Sequence, residues 1–98
     1  MTPRLVLEPE TEEDLETARA WYEERVPGLG VEFARVVEDV LGTIESSPLR
    51  FPVARADIRR AVLRRFPYVV YFVVLPELIS VIAVLHGRRD PTVWQSRR

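Results

Sequence analysis

The chain has 98 residues, of which 47% are hydrophobic and 30% are charged, and this predicts a single globular domain over residues 1–98. Without cysteine, and with only one histidine, it excludes a disulfide framework, and neither a metal site nor a cofactor is expected. The net charge of −1 is divided unevenly, because residues 1–50 hold five arginines and twelve acids while residues 51–98 hold nine arginines and three acids. Such polarity is typical of a surface that meets an oppositely charged partner.

The first 30 residues predict a strand and a helix. Arg4 to Leu7 form a short apolar strand, and the N-terminal segment lacks the features of a secretion signal, so we expect a cytoplasmic protein. Thr11 with Asp14 three residues later resembles a capping box, which predicts a helix over residues 12–25. Its apolar positions recur at helical spacing: Leu15, Ala18, Tyr22 and Val26. Pro27 to Gly30 end this helix.

The middle of the chain predicts a second helix, a loop and a strand. A further apolar stripe predicts a helix of about four turns that ends at residues 46–48; its members are Phe33, Val37, Val40, Leu41 and Ile44. The short link makes the two helices an antiparallel hairpin, which must lay its apolar faces on a sheet. Residues 49–57 are predicted as a loop. Residues 58–65 are predicted as a strand whose arginines project at its ends: Arg59, Arg60, Arg64 and Arg65.

Two apolar runs, 66–74 and 78–85, dominate the C-terminal half. Their Val and Ile content and their continuous apolarity predict two central antiparallel strands. A single membrane helix is the alternative, but Pro76 and Glu77 would lie at the bilayer centre, so no membrane segment is expected. The hairpin gathers arginines and His86 at one end. Asp90 and Pro91 then predict the start of a short helix with Trp94.

The order β-α-α-β-β-β predicts an α+β fold, in which a mostly antiparallel sheet carries a helical hairpin on one face and a short C-terminal helix follows.

Several segments resemble the RelE/ParE family of toxins from type II toxin–antitoxin systems, also described as plasmid stabilisation proteins. The first are Trp21-Tyr22 and the Pro27–Gly30 segment with Phe33. The most specific are residues 59–71 (RRAVLRRFPYVVY) and 83–91 (AVLHGRRDP). The resemblance implies the same fold and a toxin that a cognate antitoxin neutralises by covering its basic face with an acidic or amphipathic segment. It also allows a higher-order toxin–antitoxin oligomer.

Within this family the resemblance implies one of two mechanisms. ParE-like members inhibit growth by binding DNA gyrase and need only a binding surface; His86 between Leu85 and a short basic turn favours this branch. RelE-like members cleave messenger RNA on the ribosome, and His86 and Arg89 would then be the catalytic candidates. The residues expected to bind the target or phosphate are Arg59, Arg60, Arg64, Arg65, Tyr68, Tyr71, Arg88 and Trp94.

The chain departs from the RelE-like pattern at three points, so the sequence favours gyrase binding. It has no lysine, Tyr68 stands where those nucleases have a basic residue, and Trp94 stands where they have a tyrosine. A third hypothesis is an inactive member that only binds its antitoxin.

Each candidate also has a structural interpretation. Trp21 and Tyr22 are expected to pack the helices on the sheet, and Tyr68 and Tyr71 must point to opposite sheet faces. His86 is alternatively a hydrogen-bonded core residue. Trp94 would then cover a sheet edge, and the arginines beside Asp90 would form a surface ion-pair cluster.

Overall fold

A computed structural model describes residues 3–98, which form a five-stranded sheet with two long helices on one face. The strands are β1 (Arg4–Leu7), β2 (Val53–Arg55), β3 (Ile58–Val62), β4 (Tyr68–Val74) and β5 (Leu78–His86). The helices are α1 (Pro9–Arg25), α2 (Leu29–Ser46) and α3 (Pro91–Gln95), with one 3-10 turn at Pro48–Arg50. The strand order is β1-β5-β4-β3-β2, with β1 parallel to β5 and every other pair antiparallel. The predicted α+β class and helical hairpin are confirmed.

The predicted central hairpin is the pair β4–β5, which lies in the middle of the sheet. Alternate residues of β4 face the helices and the opposite side, so Phe72 lies in the main core and Tyr71 in a second one. Both faces are covered, which explains why the two strands are apolar at nearly every position. A bulge in β5 between Val81 and Ala83 shifts the register against β4.

The two helices meet closely near their connection. Gly30 lies against the carbonyl oxygen of Arg19, where an added Cβ would be only 2.7 Å from that oxygen. The carboxylate of Glu23 accepts hydrogen bonds from the backbone N–H groups of Gly28 (2.9 Å) and Gly30 (3.0 Å). It thereby caps the start of α2, whose 18 residues make it longer than the predicted four turns. Gly28 has φ of +90°, which only glycine adopts readily.

The predicted capping role of Thr11 is wrong. Helix α1 begins three residues earlier than predicted, with Glu8 at the N-cap and Pro9 in the first turn. Thr11 is fully buried, and its hydroxyl donates a 2.7 Å hydrogen bond to the carbonyl oxygen of Val81. It therefore ties α1 to β5 just beyond the end of β1.

Two predictions in the middle of the chain need correction. The predicted loop 49–57 contains the 3-10 turn and the edge strand β2, which is only three residues long and pairs irregularly with β3. Strand β3 ends at Val62 instead of residue 65, so Arg59 and Arg60 lie in mid-strand, opposite Phe72 and Tyr71. Arg64 and Arg65 lie in the turn that follows, with Arg65 at φ of +69°.

The C-terminal segment covers part of the second sheet face. Asp90 caps α3 by accepting from the N–H of Thr92 at 2.9 Å, as predicted. Trp94 stacks on Tyr71 with ring centroids 4.4 Å apart, at the centre of the face and not at a sheet edge. Arg97 then pairs with Asp14 of α1. Among the described residues no helix is long and apolar enough to cross a membrane.

Candidate functional site

The β4–β5 register brings four of the predicted site residues to one end of the sheet. Tyr68 lies opposite His86, and the N–H of Gly87 donates to the carbonyl oxygen of Pro67 at 2.8 Å. Arg88 and Arg89 follow in the tight turn, where the N–H of Arg89 donates to the carbonyl oxygen of His86 at 2.9 Å. The predicted gathering of basic residues around His86 is therefore present in the backbone.

His86 is half-buried and has a defined tautomer. Its Nδ1 accepts a hydrogen bond of 3.0 Å from the backbone N–H of Arg88. When the ring is neutral, its proton must then be on Nε2, which is left as a donor. The imidazole also packs edge-on against Tyr68, with centroids 5.6 Å apart.

An aromatic recess of about 450 Å³ opens between α1 and this end of the hairpin. We define it by its lining: Thr17, Trp21, Tyr22, Pro67, Tyr68 and His86. Tyr22 contacts Trp21 at 5.1 Å and Tyr68 at 6.0 Å between ring centroids. Trp21 is 48% exposed, and the guanidinium of Arg25 lies 3.5 Å from its ring centre.

The sequence assigned Trp21 and Tyr22 to packing alone. The structure places Tyr22 against the core aromatics Phe33 and Phe66, as expected, but leaves Trp21 at the surface. The available signal was the helical spacing of Glu13, Thr17 and Trp21, which puts them on one face of α1.

A smaller polar hollow of about 250 Å³ adjoins the aromatic recess and shares Thr17, Tyr68 and His86 with it. Its other lining residues include Glu13, Asp14, Val84 and Arg89. The carboxylate of Asp14 is already occupied by structural contacts. It accepts a hydrogen bond from the N–H of Val84 at 3.0 Å, and it pairs with Arg97 at 3.1 Å between Oδ1 and Nη2. Together the recess and the hollow form one cleft along α1, which we call the α1–hairpin cleft.

Two tyrosine hydroxyls in this cleft are protonated donors at neutral pH. Burial raises the pKa of Tyr68, and the positive charge of Arg89 partly opposes that shift. Burial also raises the pKa of Tyr22, and the nearby Tyr68 adds to it. Tyr71 has a pKa raised by burial as well, opposed by Arg60, but it lies on the other sheet face.

The remaining predicted residues lie away from the cleft. Arg64 pairs with Asp39 of α2 at 3.0 Å, and Arg65 pairs with Glu32 at 2.8 Å. Both pairs are largely exposed, so each adds at most about 1 kcal/mol of stability.

Three further predicted site residues lie in mid-strand or in the core. The Nη1 of Arg59 donates to the carbonyl oxygen of Phe51 at 2.6 Å, and Arg60 is exposed beside Tyr71. Trp94 is buried on that same second face. The described part of the chain holds no group of three or more acidic or histidine side chains arranged for a metal ion.

A second concave surface lies between the two helices of the hairpin. This interhelical groove, of about 490 Å³, has an apolar floor formed by Leu7, Leu15, Phe33, Val37 and Leu41. Its rim carries Glu12, Glu16, Glu38 and Arg19. Arg19 is held by Glu16 through two hydrogen bonds of 2.7 and 2.9 Å, so the rim is acidic on balance.

Comparison with known proteins gives a consistent result. Residues 5–91 match the family model described as the ParE toxin of the type II toxin–antitoxin system, parDE. A solved structure described as the chromosomal ParDE toxin–antitoxin system from P. aeruginosa superposes with a TM-score of 0.78 at 15% sequence identity. That match covers 87% of this chain and 96% of the other. A search of curated protein sequences returns no significant match.

Proposed function

Because this chain belongs to the ParE toxin family of type II toxin–antitoxin systems, we propose that it inhibits growth by binding DNA gyrase, without catalytic turnover. The observation that carries the proposal is the family match over residues 5–91, which includes the Leu85–Asp90 segment that favoured gyrase binding. The composition of the α1–hairpin cleft supports it. Aromatic rings and hydroxyl donors dominate the lining, as in a surface that recognises protein.

The alternative, RNA cleavage on the ribosome, has weaker support from the cleft. Metal-free cleavage requires a base, an acid and cations around the phosphate in the transition state. Arg89 is the one arginine that lines the described cleft. Arg64 and Arg65 lie in the neighbouring turn, but their guanidinium groups are directed to carboxylates of α2. His86 would have to work with a single cation.

The cognate antitoxin covers the interhelical groove in this proposal. The apolar floor fits the apolar face of an amphipathic segment, and the acidic rim fits basic side chains beside that face. The sequence had instead predicted an antitoxin that covers the arginine-rich surface. Both contacts are compatible with one antitoxin segment long enough to pass from the groove around α1.

The decisive experiment adds the purified toxin to two assays in parallel. We expect inhibition of gyrase supercoiling and no codon-dependent cleavage of messenger RNA in a ribosome translation assay. His86→Ala should weaken gyrase inhibition by about tenfold or less, since one contact is lost. An enzyme that uses this imidazole would lose about two to four orders of magnitude in cleavage rate. Cleavage without gyrase inhibition would refute the proposal.

A further inference from the structure

We infer that the α1–hairpin cleft is a carboxylate-binding site, which takes an Asp or Glu side chain of the protein target together with a neighbouring aromatic residue. This inference rests on the proposed function, because it specifies the partner segment that the toxin recognises. Two features of the cleft carry it: four side-chain hydrogen-bond donors that are not bonded to any described acceptor, and an open aromatic recess beside them.

Four donors line the cleft, and none is used up within the described chain. Neither hydroxyl of Tyr22 and Tyr68 forms a hydrogen bond to another residue of the 3–98 range, although both rings are largely enclosed by their neighbours. The Nε2–H of His86 is available, because Nδ1 is the atom that accepts from Arg88. Arg89 is absent from the ion pairs of the described residues, which involve Arg19, Arg64, Arg65, Arg97 and Arg98.

The charge state of these groups identifies the ligand. Two phenols, an imidazole N–H and a guanidinium all donate, so the matching ligand is an anion with several acceptor oxygens. Of the two carboxylates that line the cleft, Asp14 is already paired with Arg97 and the N–H of Val84, which leaves the charge of Glu13 beside four donors. A cationic ligand would meet Arg89 and would leave all four donors unsatisfied.

A carboxylate fits better than the phosphodiester of a nucleic acid. A nucleic-acid strand requires a continuous row of cations along its backbone. In this cleft Arg89 is the one arginine of the described lining and Glu13 adds a negative charge, while the guanidinium groups of Arg64 and Arg65 pair with carboxylates of α2. A single cation suits one side-chain carboxylate, and the negative charge of Glu13 disfavours a polyanion such as a nucleic-acid strand.

The aromatic recess indicates which type of residue neighbours that carboxylate residue in the partner. Trp21, Tyr22, Tyr68 and Pro67 contribute to the lining of this recess of about 450 Å³. Half-exposed Trp and Tyr side chains in a concave surface are the usual anchors of protein interfaces. An aromatic side chain of the partner can enter there edge-on while the adjacent carboxylate reaches Tyr68 and Arg89.

The test uses a blocked tetrapeptide of sequence glycine–phenylalanine–glutamate–glycine as the probe. Its binding to the full-length ¹⁵N-labelled toxin is followed by NMR chemical-shift changes. The glutamine analogue of the peptide and a dinucleotide phosphate are titrated in the same way for comparison. We expect shifts confined to α1 and the 67–89 end of the hairpin, with the glutamine peptide at least about tenfold weaker. Preferential binding of the dinucleotide, equal binding of the two peptides, or no shifts at all would each overturn the inference.

Two pairs of matched variants separate this site from general damage. Tyr68→Phe and Arg89→Gln should each weaken the glutamate peptide by about tenfold. Tyr71→Phe and Arg60→Gln make the same chemical changes to a similar pair on the opposite sheet face, and they should leave peptide binding unaltered. Equal losses in both pairs would contradict the site.

The same variants separate this inference from the proposed function. If wild-type toxin does not inhibit gyrase, the proposed function fails, while the peptide titration still decides whether the cleft binds a carboxylate. If wild-type toxin inhibits gyrase and Tyr68→Phe and Arg89→Gln inhibit it equally well, gyrase binding stands and the assignment of the cleft to its recognition is wrong.

Discussion

Gly30→Ala is expected to destabilise the toxin, because there is no space for a methyl group where α2 passes α1. The new Cβ would lie 2.7 Å from the carbonyl oxygen of Arg19 and 2.9 Å from Oε1 of Glu23. Ordinary van der Waals contact requires on the order of 3.5 Å. Because the first of these atoms belongs to a helix backbone, the two helices must move apart. Overpacking costs about 1–3 kcal/mol, and alanine regains about 1 kcal/mol of helix propensity.

We expect a net loss of about 2 kcal/mol, since a backbone clash lies at the severe end of that range. Urea unfolding followed by circular dichroism measures it, and the melting temperature should fall by roughly 8–16 °C. Gly42→Ala is the matched control, because a Cβ in the same helix at that position meets nothing within 4 Å. It should raise the melting temperature by about 4–8 °C. A Gly30→Ala protein as stable as the Gly42→Ala protein would refute the described helix contact.

Three further results are expected. Glu23→Gln should lower stability at pH 7 in urea unfolding, and the loss should shrink progressively as the pH falls below 4.5. The N–H groups of Gly28 and Gly30 hold the pKa of this carboxyl below its ordinary 4.5, so its contribution is present above that value and lost as the pH falls through the lowered pKa. Arg89→Gln should raise the pKa of Tyr68 further in an ultraviolet titration referenced to Tyr68→Phe, because a cation that favours the phenolate is removed; an unchanged curve would place the two groups apart. Trp94→Ala should cost about 3–5 kcal/mol of unfolding free energy, since a buried ring is lost from the second sheet face; a cost below about 1 kcal/mol would contradict its stacking there.

The central hairpin could be predicted because the residues that determine it are close together in the sequence. Runs of Val and Ile broken by Pro76 and Glu77 permit few other structures, and the antiparallel register then fixes Tyr68 opposite His86. Asp90 before Pro91 was an equally local signal for α3. In these stretches propensity, pattern and turn chemistry agree.

The errors occurred where long-range contacts decide the outcome. Thr11 carries the local signature of a cap, yet its hydroxyl donates to the carbonyl oxygen of Val81 in β5, which also accepts from the N–H of Glu8. Strand β2 is three residues long and contains no alternation that would distinguish it from a loop. It exists because β3 offers it a partner.

The candidate site was predicted as a position on the backbone but not as a surface. Arginines from two turns at one end of the hairpin separate in the fold, because Arg64 and Arg65 pair with carboxylates on α2 while Arg89 lines the cleft along α1. Side-chain direction depends on the partners that the tertiary structure supplies. For the same reason Trp21, half of whose surface is exposed, could not be told from a core residue in the sequence.

The parallel pairing of β1 with β5 has a consequence for the newly made chain. The first strand finds its neighbour only in Leu78–Val81, and Thr11 bonds a residue 70 positions further on. Contacts this distant in sequence form slowly and cannot precede synthesis of the C-terminal half. The helical hairpin therefore emerges well before the sheet that will shield its apolar side. Under the proposed function, a nascent chain cannot yet bind its target in this interval, because the α1–hairpin cleft needs both α1 and the end of β5, whereas the interhelical groove can already receive an antitoxin.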